Sequence, residues 1–116
     1  MEIARQEIDG VVILSLGAPV EIDVHDAEEF KRLVLDAAVG APRVVLDCGL
    51  VEFFDSAGLG ALLTVHKRVV ESGGRIVLST LNRPVRDVFQ MVGFDMVFAC
   101  YPDLPRAVQA LGGREA

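Results

Sequence analysis

The chain has no tryptophan, a single tyrosine, two cysteines and no run of basic residues. Each of these absences excludes something. Seventeen Asp and Glu against eleven Lys and Arg give a net charge of −6, which repels nucleic-acid phosphates and anionic lipid, and no clustered Lys/Arg stretch offsets it. Cys48 and Cys100 have neither CxxC spacing nor neighbouring histidines, so a metal site is not expected, and both read as small buried hydrophobes. No stretch free of Asp, Glu, Lys and Arg exceeds eleven residues, as in Gly10 to Val20, well short of the ~20 that a membrane-spanning helix needs. The first residues carry Glu2 and Arg5 and lack a basic start followed by an apolar run, so no secretory signal is read and the expected location is cytoplasmic.

What is present is a 116-residue chain that is 52% hydrophobic. That length suits one domain, which buries roughly two-thirds of its unfolded surface without disulfide or metal staples. We expect the domain to occupy residues 1–112, with 113–116 a short tail. Ile3 to Ile8 and Val11 to Leu16 flank Asp9-Gly10 and read as a β-hairpin, because that dipeptide accepts the positive φ of a two-residue turn. Ala27, Phe30, Leu33, Val34, Ala37 and Ala38 recur at helical spacing and stop before Gly40. The run Val44-Val45-Leu46 is apolar on both faces, as suits a central strand.

Leu59, Leu62, Leu63, Val69 and Val70 mark a second helix that Gly73-Gly74 ends, and Ile76-Val77-Leu78 makes the next strand. Asn82 and Pro84 open a third helix, whose stripe of Val85, Val88, Phe89 and Val92 ends at Gly93. A strand over Met96 to Ala99 and a last helix capped by Asp103 complete the order β-β-α-β-α-β-α-β-α. The expected fold is α/β: a mixed sheet of four to five strands, antiparallel in its leading hairpin and parallel afterwards, with about four helices.

Polar residues that can do chemistry gather where the chain leaves the central strand for the second helix. In parallel sheets sites form at the carboxyl ends of strands. Ser56 takes the N-cap or first position of that helix, beside backbone N–H groups that lack intrahelical partners. Gly58 and Gly60 are poor helix formers in the first turns; they permit close approach, either of another molecule or of the sheet beneath. Of Phe53 and Phe54, alternation buries one and leaves the other near the surface as an interface anchor. An enzymatic alternative from Asp47, Asp55, His25 and His66 has no spacing that makes them converge, and no glycine-rich phosphate loop occurs. Arg75, Arg83 and Arg86 read as a small solvated basic rim near the third helix.

VVLDCGLVEFFDSAGLGALL (44–63) followed by GGRIVLSTLNRPVRDVFQMVGF (73–94) resembles the STAS domain family, and within it the bacterial anti-sigma factor antagonists. The family signature is a strand ending in Asp, a short loop, then Asp-Ser-Ser/Thr/Ala-Gly-Leu. The resemblance implies a non-enzymatic protein without cofactor or metal, whose partner is an anti-sigma factor with serine kinase activity. That partner brings the ATP and phosphorylates Ser56, and a serine phosphatase reverses the step. By the same resemblance Asp23, Asp55, Ser56, Ala57, Gly58, Leu59 and Gly60 form the partner-binding surface, with Glu21-Ile22-Asp23 the counterpart of an acidic segment on that surface. Val20 stands where the family commonly has glycine. A second role within the family is that of a non-switching subunit of a phospholipid-transport or stress-sensing complex, which gene neighbourhood discriminates.

Overall fold

The computed structural model describes residues 1–112; the expected tail, 113–116, lies outside them. The hairpin forms from β1 (Ile3–Ile8) and β2 (Val11–Leu16), with Asp9 and Gly10 at φ 53° and 81°, the positive-φ pair that such a turn demands. The chain continues through β3 (Val20–Ile22), α1 (Ala27–Ala38), β4 (Arg43–Asp47), β5 (Val51–Phe54), α2 (Ser56–Glu71), β6 (Arg75–Ser79) and α3 (Arg83–Val92). A 3-10 turn (Phe94–Met96), β7 (Cys100–Tyr101) and α4 (Leu104–Ala110) complete it.

Five strands make the main sheet in the order β1-β2-β4-β6-β7, antiparallel between β1 and β2 and parallel elsewhere. The apolar run of β4 is its centre, and alternation along each strand divides the core. Val12, Leu14, Val44, Leu46, Ile76 and Leu78 pack under α1, α2 and α3. Val11, Ile13, Val45 and Val77 meet α4 through Ala107, Val108 and Leu111. Residues apolar on both faces are thus required wherever helices cover both sides.

Two elements were not anticipated. β3 and β5 pair in parallel as a separate two-stranded sheet, so the strand order gains one member before α1 and one before α2. The expected strand at Met96–Ala99 is also displaced. Gly93 takes the left-handed conformation at φ 81°, the chain enters the 3-10 turn, and the strand begins only at Cys100. The reason lies in packing: Phe94 and Phe98 stack against one another at 5.7 Å, and both meet Phe89, at 5.4 and 6.1 Å, which a regular alternating strand would not permit.

Cys48 is buried, as expected, but Cys100 is exposed, because the two-residue β7 is an edge strand that leaves this position open. The Cys100 Sγ itself is partly covered, donating to the Phe98 carbonyl at 3.7 Å; that partial desolvation and the neighbouring Asp95 push the thiol up to about 11, and full burial raises Cys48 as well, so neither is a thiolate near neutral pH. Arg75 opens β6 in register with Arg43, at the end of the strand remote from α3. It therefore does not join Arg83 and Arg86 in a common rim.

Candidate functional site

The corner around Ser56 is built on aromatic packing. Phe54, the last residue of β5, is 1% exposed, and its ring lies 6.0 Å from Phe30 of α1 and 6.1 Å from Phe89 of α3. Edge-to-face and tilted contacts of this kind add about 0.5 to 1.5 kcal/mol each beyond area burial. Phe53 is the half-buried member of the pair. Asn82, read from sequence only as a helix cap, does two jobs. Its Oδ1 accepts the Val85 N–H at 2.8 Å, while its Nδ2 donates to the carbonyl oxygens of Val51 and Glu52 at 3.3 and 3.0 Å. The start of α3 is thereby fixed to β5, a long-range bond with no local sequence signal.

Asp55, not Ser56, caps α2. Its Oδ1 accepts the Gly58 N–H at 2.9 Å, as an N-cap carboxylate should, and Ser56 is the first helical residue. The second oxygen, Oδ2, accepts the Val24 N–H at 3.1 Å, and the Asp55 N–H donates to the Ile22 carbonyl at 3.1 Å. Asp23 closes the adjoining loop: its Oδ1 accepts the N–H groups of His25 at 2.9 Å and Asp26 at 3.3 Å. The two aspartates picked out in the sequence therefore share one corner. Val24, a residue 66% exposed, is the one between them that sequence reasoning missed. Its signal was available only as an apolar residue inside an acidic loop.

The two glycines have different causes. A Cβ on Gly58 would overlap the Ile22 carbonyl oxygen, so this position must be glycine for α2 to seat on β3. Gly60 has open space around it and is exposed. It lines a groove of about 290 Å³ between α1 and α2, with Val24, Ala27, Ala57, Ala61 and Thr64. Ser56 is exposed, Ala57 and Leu59 half-buried, and Gly58 buried. Among the described residues the Ser56 hydroxyl makes no hydrogen bond to protein. Glu52 is exposed on β5, contributing charge near the same corner.

Of the acid–base set considered for an enzyme, Asp47 and His66 are each engaged with their own neighbours, and only His25 falls near Asp55, on the loop that Asp55 tethers. Asp47 Oδ1 accepts the Gly49 N–H at 3.0 Å and closes its own turn, and His66 packs edge-on against Phe98 at 4.8 Å. His25 is exposed in the α1 loop. Among the described residues no group of His, Cys, Asp and Glu is disposed to hold a metal ion, and no helix is long and apolar enough to cross a membrane.

A five-stranded mixed sheet with three helices on one face, one on the other and an Asp-Ser pair opening α2 defines a recognisable class. Residues 2–107 match the STAS domain profile, and the chain belongs to the STAS domain family. BtrV of Bordetella bronchiseptica, a candidate anti-sigma factor antagonist, is 35% identical over 99 residues, covering 84% of each chain. The anti-sigma F factor antagonist of Paenibacillus polymyxa is 27% identical over 114 residues, 96% of this chain and 95% of the relative. Among solved structures, an anti-sigma-factor antagonist (STAS) domain protein from Planctomyces limnophilus superposes with a TM-score of 0.82 at 27% identity, covering 95% and 97% of the two chains.

Proposed function

We propose that this protein is an anti-sigma factor antagonist whose unmodified form occupies an anti-sigma factor that is also a serine kinase, and which phosphorylation of Ser56 switches off. The observation that carries the reading is the exposed, unbonded hydroxyl at the first position of α2, with the capping duty held by Asp55 instead. A serine free of structural work is open to modification. Its surroundings suit a contact surface too: Asp23, Asp55, Ser56, Ala57, Leu59 and Gly60 frame it, and Gly58 lets the helix sit close to β3.

The direction of the switch follows from charge. Phosphate adds about −1.5 to −2, taking the chain from −6 to near −8 beside the Asp55 carboxylate. The partial positive charge at the start of α2 offsets that repulsion locally, so the fold survives. A partner that buries the unmodified hydroxyl must instead desolvate a dianion. Leaving a buried charge unpaired costs about 3 to 5 kcal/mol, a loss of affinity of roughly a hundredfold or more. A serine phosphatase restores the binding form, and no cofactor is required of this chain.

Mass spectrometry after incubation with the partner kinase and ATP is expected to find one phosphate, on Ser56; a phosphate elsewhere overturns the assignment. Protein carrying phosphoserine at 56 is expected to lose capture by the kinase roughly a hundredfold relative to the unmodified chain. Equal capture overturns the switch.

A further inference from the structure

We infer that Asp55 is a positioning residue that couples Ser56 to the β3–α1 loop, so that a phosphate on Ser56 is felt at Val24; this rests on the reading of Ser56 as the modified residue. One carboxylate serves two elements that are remote in sequence. Oδ1 holds the first turn of α2 through the Gly58 N–H, and Oδ2 holds the loop through the Val24 N–H. The two bonds are unequal. The Gly58 bond is 2.9 Å long and partly buried, whereas the Val24 bond is 3.1 Å and exposed.

A dianion on the next residue competes for the same N–H groups at the start of α2 and repels the carboxylate that already holds one of them. Gly58 is held inside a helix whose following turn is closed by the Leu59 N–H to the Asp55 carbonyl at 2.8 Å. Val24 has no such support. Its neighbours His25 and Asp26 are tied to Asp23 within their own turn, so the loop keeps its shape while its attachment to α2 is loosened. Val24 projects into solvent beside the α1–α2 groove. A partner seated on Ser56 would therefore meet Val24 in register only while the tether holds. The phosphate then acts twice, by its own charge and by releasing an apolar contact.

Amide hydrogen exchange on the full-length, isotope-labelled protein tests this, with phosphoserine installed at position 56 during translation so that no kinase is needed. Four forms are compared: unmodified, phosphoserine-56, Asp55→Asn and the two changes combined. The asparagine keeps one oxygen to accept the Gly58 N–H but turns a donor toward Val24. Val24 exchange is expected to quicken roughly five- to tenfold in both altered forms, with Gly58 unchanged in Asp55→Asn, which also reports that the variant is folded. Adding phosphoserine to Asp55→Asn should give no further acceleration at Val24, a non-additivity that a merely structural role for Asp55 would not produce. Unchanged Val24 exchange on phosphorylation, or full additivity with Asp55→Asn, overturns the coupling. A kinase that leaves Ser56 unmodified overturns the functional reading instead, and the exchange comparison still decides the tether.

Discussion

Two corners of this molecule, both at carboxyl ends of parallel strands and both containing an aspartate, treat their hydroxyls in opposite ways. After β5, Asp55 satisfies the backbone of α2 and of the α1 loop, and Ser56 stands outside those bonds, exposed. After β4 and β6, Asp47 faces Ser79 across the ladder but is turned to its own Gly49 N–H. Ser79 is fully buried, and its Oγ is without a partner among the described residues. The next residue, Thr80, is held at φ 65°, a region unfavourable to a β-branched side chain. The first corner has its polar groups paired and leaves a nucleophile accessible. The second stores strain and an unsatisfied hydroxyl under α4. Residue type alone does not separate them; exposure and the destination of each carboxylate do.

The largest test of this contrast is steric. In Gly58→Ala the new methyl group would overlap the Ile22 carbonyl, so α2 must lift from β3 and the cap at Asp55 must stretch. Urea denaturation is expected to show a loss of about 3 kcal/mol, at the upper end of overpacking effects. Gly60→Ala, two residues on and in open space, should instead gain up to about 1 kcal/mol through helix propensity. If both alanines behave alike, the docking of α2 on β3 does not hold this corner.

That pair of glycines also shows how far the chain could be read unaided. The glycines were visible as an anomaly in a helix, but not which one was structural, since only the path of β3 decides it. β3 and β5 themselves were invisible for a related reason. Three- and four-residue strands that pair with each other leave too little alternation to detect. Helix ends were legible where a single good capping residue stands at the boundary, as with Asn82, Gly93 and Asp103. They were not legible at Asp55-Ser56, where two good caps are adjacent and the choice depends on backbone geometry. Cys100 failed because thiol burial was inferred from residue type, whereas β7 ends the sheet after two residues.

The second corner offers smaller and opposite effects. Thr80→Gly removes the left-handed penalty of about 1 to 2 kcal/mol against the added chain entropy of glycine, about 0.5 to 1. A net gain of about 1 kcal/mol is expected. Ser79→Ala exchanges a buried, unpaired hydroxyl for a methyl group and should likewise stabilise by up to about 1 kcal/mol. Thermal unfolding of each variant measures both. A loss on Ser79→Ala would mean that the hydroxyl has a partner in solution, and the two corners would then be alike in their polar accounting.

The smallest expected effect on stability belongs to the residue with the largest expected effect on function. Had Ser56 been the cap, Ser56→Ala would cost about 1 kcal/mol. With Asp55 capping through Gly58 and the Ser56 hydroxyl unbonded, the substitution should fall within about ±0.5 kcal/mol, like other surface changes. Under the proposed switch the same variant cannot accept phosphate and should remain on the partner kinase when ATP is added, whereas the unmodified chain should be released. Urea midpoints and capture with and without ATP separate the two roles of this position. A midpoint shift worth a full kilocalorie would return the cap to Ser56, and with it the claim that this hydroxyl is free of structural duty.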